Sequence, residues 1–126
     1  MGNRSANISK GLSRNNEPAV LILTSLASGT KHGYALTQDI ERFADVRLGP
    51  GTLYGAITRL EERGLIAPTA SDDRRQPYEI TSAGRAALTE AVREMRALAD
   101  EGATRLGLAL RAGRLERGIP VIGAIR

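Results

Sequence analysis

The side chains in this 126-residue chain whose types and spacing suit chemistry are hydroxyls and guanidiniums. Thr52, Tyr54, Thr58 and Arg59 fall within two helical turns just behind Gly51, and a pair of arginines, Arg74 and Arg75, follows after a short gap. A hydroxyl both donates and accepts, and a guanidinium offers a planar fork of donors, so this set suits phosphate oxygens and the edges of bases. The parts of a catalyst do not stand out. Cysteine is absent, the lone His32 leaves no imidazole cluster for a transition metal, and no carboxylate pair or nucleophile with its base is evident. Gly49, Gly51 and Gly55 lack the strand and lysine context of a phosphate loop. His32, at the entrance of a helical stretch, reads as a capping or packing residue. No enzyme, metal site or cofactor is expected.

Side chains of this kind need an element that turns them outward, and the stretch LGPGTLYGAITRLEERGLI at 48–66 carries the signals of one. Gly49, Pro50 and Gly51 end what precedes them, and proline is accepted in a first helical turn. Leu53, Ala56, Ile57 and Leu60 recur with the helical period and must be buried, while Thr52, Tyr54, Gly55, Thr58, Arg59, Glu62 and Arg63 stay outside that stripe. Gly64 supplies the left-handed residue that commonly closes a helix, and Leu65 and Ile66 return to the core. The stretch therefore reads as a helix with one face docked and one face offered, the form of a DNA-recognition helix.

The flanking elements fit that reading. Asn16, Glu17 and Pro18 suit the start of a helix that is apolar on most sides through Val20, Leu21, Ile22, Leu23 and Leu26, so it should lie between the domain core and a partner subunit. A turn at 28–30 leads to a second helix ending near Phe43, with Leu36, Ile40 and Phe43 buried and Asp39, Glu41 and Arg42 outward. Residues 45–48 form an extended connection that could include a very short strand. Beyond the central stretch, residues 65–69 and 76–80 read as a β-hairpin whose tip carries Asp72, Asp73, Arg74 and Arg75. Pro77 cannot donate to a ladder and argues for an edge strand or an outward position. Thr81 should cap a last helix running to about Leu110. Its Leu88, Val92, Met95, Ala99, Gly102 and Leu106 alternate steps of four and three, with Leu98 beside them, as in a coiled coil. Another subunit is the expected cover for so long a stripe, the other reading being a long helix packed within the chain.

Composition limits the function classes further. The net charge of +4 resides in the ends: residues 1–16 and 111–126 carry +3 each, whereas residues 17–110 carry −2. Affinity for phosphate must come from placing a few arginines on one surface. Residues 1–15 read as a disordered basic arm, which could follow a DNA backbone or be a solvated leader. Residues 113–126 read as a flexible or loosely packed tail. No apolar run approaches the roughly 20 residues of a membrane span, and the start has no signal-peptide apolar region, so a cytoplasmic protein is expected.

Three segments occur together in order: HGYALTQDIER at 32–42, the 48–66 stretch, and RRQPYEITSAGRAAL at 74–88. With these motifs the chain resembles the PadR-like winged-helix transcriptional regulators over about residues 17–110. Its single final helix is similar to the smaller subgroup in which that helix makes the dimer. The resemblance implies a homodimer that binds a palindromic operator in double-stranded DNA, usually represses, and often releases DNA when a small-molecule effector binds near the dimer interface. Matched to the family's motif, Gly51, Thr52 and Tyr54 would stand at the DNA and Leu53 would be buried, with Arg74 and Arg75 as the wing arginines. Gly55 departs from the proline often found there, which loosens the first turn and with it the presentation of Tyr54. The last helix lacks the aromatic residues that some members stack on flat ligands.

The expectation is a mainly α fold with a small β-hairpin: a winged helix-turn-helix at 16–80 followed by a dimerisation helix at 81–112. DNA contact is expected at Gly51, Thr52, Tyr54, Thr58, Arg59, Arg74 and Arg75, and dimerisation at Leu21, Leu88, Val92, Met95, Ala99 and Leu106. The competing reading, favoured by the acidic balance of the folded part, is a winged-helix module that binds another protein through the same face.

Overall fold

A computed structural model describes residues 17–72, 74–111 and 114–117. The expected basic arm, the capping Asn16, Asp73 and the end of the tail lie outside the described residues. The chain divides into two compact units, residues 1–91 and 92–126.

In the first unit, α1 (Pro18–Leu26) starts with Pro18 in its first turn and Glu17 at the cap position, where Glu17 makes no side-chain capping bond. It buries Leu21, Ile22, Leu23, Ser25 and Leu26 against α2 (Gly33–Ala44), α3 (Pro50–Glu62) and β3 (Pro77–Ile80). Together with Leu36, Ile40, Leu48, Leu53, Ala56, Ile57, Leu60 and Ile66 these make one core. Each large aliphatic side chain there contributes roughly 1.5–3 kcal/mol on burial. The recurrence of i, i+3 and i+4 residues thus sets which face of α2 and α3 turns inward. Phe43, expected in the buried stripe of α2, is instead 41% exposed. It sits in the last turn, and the chain leaves α2 immediately afterwards through Asp45, which adopts a left-handed φ of 56°. Asp39, expected to point outward, is held inward: the Ser25 hydroxyl donates to its carboxylate at 2.6 Å, and Lys31 lies 4.0 Å away.

The sheet has three antiparallel strands in the order β1 (Lys31–His32), β3, β2 (Ile66–Pro68). Residues 65–69 and 76–80 therefore do pair as a hairpin, with Ile66 opposite Ile80. The additional short strand is at Lys31–His32, not at 45–48, and it pairs with Tyr78 and Pro77. Pro77 consequently begins the central strand rather than lying on an edge. The first residue of a strand tolerates a missing donor, and the Pro77 carbonyl still accepts from the Thr69 amide at 3.0 Å.

The long helix α4 (Ser82–Leu106) starts in this unit. Thr81 caps it as expected: its hydroxyl accepts from the Gly84 amide at 3.0 Å and also donates to the Gly64 carbonyl at 2.7 Å, tying the start of α4 to the end of α3. A Cβ on Gly84 would stand 2.0 Å from the Leu65 carbonyl oxygen, so only glycine allows this approach.

The second unit holds the rest of α4 and a two-stranded hairpin, β4 (Leu108–Arg111) and β5 (Arg114–Arg117), with Arg111 opposite Arg114. The last helix thus ends at Leu106, not near residue 110 or 112. Gly107, at a φ of 72°, takes the left-handed conformation and turns the chain out of the helix. The stretch expected to be helix end and loose tail begins with paired strands.

Candidate nucleic-acid interface

The geometry of α3 separates its two faces cleanly. Leu53, Ala56, Ile57 and Leu60 are buried, while Gly51, Thr52, Tyr54, Thr58, Arg59, Glu62 and Arg63 are exposed. At its start the cap residue Gly49 has no side chain to satisfy the first amides, and Gly51 and Thr52 lie open to solvent. Its end is closed by a paired motif in which the Gly64 amide donates to the Glu61 carbonyl at 3.0 Å and the Leu65 amide to the Leu60 carbonyl at 2.9 Å. Gly64 has the left-handed φ of 75° that this closure requires. On the exposed face Thr58 gives its proton to the Tyr54 carbonyl at 2.9 Å, so toward solvent its hydroxyl is an acceptor. The Arg59 guanidinium lies over Gly55, 3.5 Å from where a Cβ would stand.

Tyr54 is braced from outside its own helix. Its ring rests on the backbone of Gly33, the first residue of α2, so closely that a Cβ there would fall 2.1 Å from the hydroxyl. Gly55 is therefore not what decides how Tyr54 is presented; the glycine of the HGYAL segment is. Tyr78 of the central strand lies in the same region. Its phenol is pushed above the usual range, first by burial and then by the charges of Glu61 and Tyr54, so it is a neutral hydroxyl under ordinary conditions.

Around these residues is a concave pocket of about 360 Å³ lined by His32, Gly33, Tyr34, Tyr54, Arg74, Arg75, Gln76 and Tyr78. Pairing of β1 with β3 is what brings the start of α2 beside the wing. Gln76 braces the wing by donating to the Thr69 carbonyl at 2.9 Å and the Pro77 carbonyl at 2.7 Å. Arg74 and Arg75 are both exposed, and Arg75 Nη1 lies 3.0 Å from His32 Nε2. The Nδ1 of His32 accepts from the Ala35 amide at 3.3 Å, so His32 is a capping residue, as expected. A second groove, of about 260 Å³, separates the start of α1 from Arg59, Leu60 and Arg63.

The expected DNA-facing residues thus divide in space: Gly51, Thr52, Tyr54, Thr58 and Arg59 share α3, and Tyr54 meets Arg74 and Arg75 in one pocket. Sequence reasoning missed the other members of that pocket, Gly33, Tyr34, Gln76 and Tyr78, and the position of His32 among them. The signal was present in the adjacency of His32, Gly33 and Tyr34, but their pairing with a strand some 45 residues later depends on a two-residue ladder. Such a ladder leaves no periodicity to read.

The expected dimerisation residues also divide. Leu21 is only 3% exposed within its own chain and has no surface to give a partner, because α1 is covered by α2, α3 and β3. Leu88 is half-buried and packs partly on the core. Farther along, Val92, Ala99 and Leu106 are exposed and Met95 is half-buried; Leu98 and Leu106 are 76% and 71% exposed. Of α4 only Gly84 is fully buried.

Among the described residues no helix is long and apolar enough to cross a membrane, and no group of three or more His, Cys, Asp or Glu is placed to hold a metal ion.

Comparison with known proteins agrees with this architecture. The chain is 45% identical over 83 residues to a transcriptional regulator of Mycobacterium tuberculosis, covering 64% of this chain and 77% of that protein. It is 43% identical over 82 residues to an uncharacterised 37.1 kDa protein in a Streptomyces fradiae transposon, covering 65% of this chain but spanning only 24% of that protein. The crystal structure of a PadR family transcriptional regulator from Eggerthella lenta matches with a TM-score of 0.67 and 25% identity, over 83% of this chain and 94% of that one. A PadR family regulator from Clostridium difficile matches with a TM-score of 0.65 and 25% identity, over 71% and 98%. The family model described as the transcriptional regulator PadR-like family matches residues 22–90. With that match across more than half its length, and the three motifs seated where the winged helix needs them, the chain belongs to the PadR-like family of transcriptional regulators.

Proposed function

We propose that the chain acts in the cytoplasm as a homodimeric, sequence-specific DNA-binding regulator, and that it represses from a palindromic operator. The observation that carries this reading is the uncovered polar face of α3, whose Tyr54 shares a pocket with both wing arginines. Entering the major groove with the start of α3 leading, Thr52, Thr58 and Arg59 would meet base edges. Arg59 is the base reader, since its guanidinium suits the O6 and N7 acceptors of guanine. Arg74 and Arg75 would stand beside the groove and neutralise phosphates. The apolar residues of α4 left exposed beyond Ala91 are the surface for a second copy. A small-molecule effector that binds near that interface and releases the DNA would be held by aliphatic contacts, because α4 carries no aromatic residue.

Footprinting the purified chain on the DNA upstream of its own gene tests the proposal. The expected result is a protected palindrome with binding that weakens steeply as salt rises. Binding of a protein partner indifferent to salt, with no protected DNA, favours the protein-interaction module that the acidic balance of residues 17–110 allows.

A further inference from the structure

The contacts of His32 contain a contradiction in proton placement. Its Nδ1 accepts from the Ala35 amide at 3.3 Å, which in a neutral ring puts the proton on Nε2. Yet the group 3.0 Å from Nε2 is Nη1 of Arg75, and a guanidinium only donates. A neutral imidazole has one acceptor nitrogen, so it cannot accept from both. Capping α2 and accepting from the wing require opposite tautomers.

An anion between the two donors removes the conflict. Its oxygens would accept from Nε2–H and from the Arg75 guanidinium together, and Nδ1 would then be left wholly to the helix cap. The surroundings suit such a ligand: the pocket of about 360 Å³ is lined by His32, Arg74, Arg75 and three tyrosines, and among the described residues no carboxylate lines it. Gly33 forms part of the lining and leaves room for the phenol end of Tyr54 to approach its backbone. This inference rests on the DNA-binding reading above and deepens it. We propose that this pocket is the seat of one phosphodiester group, in which His32 donates through Nε2–H, and that filling the seat locks His32 into the tautomer that caps α2. His32 thereby couples wing contact to the order of the helix before α3.

The chain has a single histidine, so nitrogen-15 labelling of histidine gives one imidazole to follow in the whole 126-residue chain. Spectra in mildly alkaline buffer, without ligand, with a random-sequence duplex and with pyrophosphate, read the tautomer directly. A mixture of tautomers without ligand that becomes Nε2–H alone with the duplex supports the seat. His32→Asn keeps a capping oxygen but loses the reach of Nε2, and should bind operator and random DNA about tenfold more weakly with unchanged melting. If pyrophosphate shifts the tautomer while no duplex binds, the seat stands and the DNA reading falls. If the wild-type chain binds DNA with the tautomer unchanged, and His32→Asn binds as well as wild type, the seat is overturned and the DNA reading survives. An unchanged tautomer with both duplex and pyrophosphate likewise overturns it.

Discussion

Two glycines show how much of this surface is settled at single residues. A Cβ on Gly33 would meet the far end of Tyr54, a half-exposed side chain that can swing away. A Cβ on Gly84 would meet the Leu65 carbonyl 2.0 Å away, which is backbone and cannot. Gly33→Ala should therefore shift stability by no more than about 1 kcal/mol while weakening DNA binding about tenfold, whereas Gly84→Ala should cost about 2–4 kcal/mol. Thermal melts beside anisotropy titrations separate the two. Asp39 contributes to the acid limb of stability. Its carboxyl is held below the usual range, first by the hydrogen bond from Ser25 and against the opposing effect of burial, with Arg42 and Lys31 adding to the lowering. A folded-state value below the unfolded one means that this contribution is complete above the unfolded range and is lost as pH falls through the depressed folded value. Asp39→Asn should cost about 1–2 kcal/mol at neutral pH, with the difference from wild type shrinking below about pH 4, as urea titrations across pH would show.

At the scale of elements, α3 was legible because each signal in it is local: a proline near its start, an apolar stripe with helical period, and a closing glycine. Leu53, Ile57 and Leu60 are buried as their spacing requires. Gly55 is the exception that costs stability without a steric reason. A Cβ there finds only Arg59 at an ordinary 3.5 Å, so Gly55→Ala should stabilise the protein by about 0.5–1 kcal/mol in a denaturant melt and leave the fold intact. What was not legible depended on distant partners. The strand at Lys31–His32 exists only because Tyr78 and Pro77 lie beside it, and Pro77 became central for the same reason. Phe43 carries the right spacing for the core, but the left-handed turn at Asp45 ends α2 just after it. The heptad pattern runs on toward residue 110, but Gly107 stops the helix and the residues beyond it pair as a hairpin.

For the molecule as a whole, the position of the apolar surface bears more on function than the total charge. The apolar character of α1 on most sides suggests a partner at Leu21, yet α2, α3 and β3 surround that side chain within the chain. Along α4, Val92, Leu98, Ala99 and Leu106 are uncovered, so the dimer should be made by α4. Val92→Glu should give a monomer in light scattering at micromolar concentration, where wild type should be a dimer, with little change in the circular dichroism of the winged helix. In that dimer the two copies of α3 should lie about 34 Å apart, one turn of the duplex. The most direct test is a pair of titrations of wild type and Arg59→Ala against operator and random duplexes over a range of salt. The account predicts that both proteins bind random DNA alike and lose affinity steeply with salt, while Arg59→Ala loses about 1–3 kcal/mol on operator alone. Equal losses on both duplexes, or binding indifferent to salt, would contradict it.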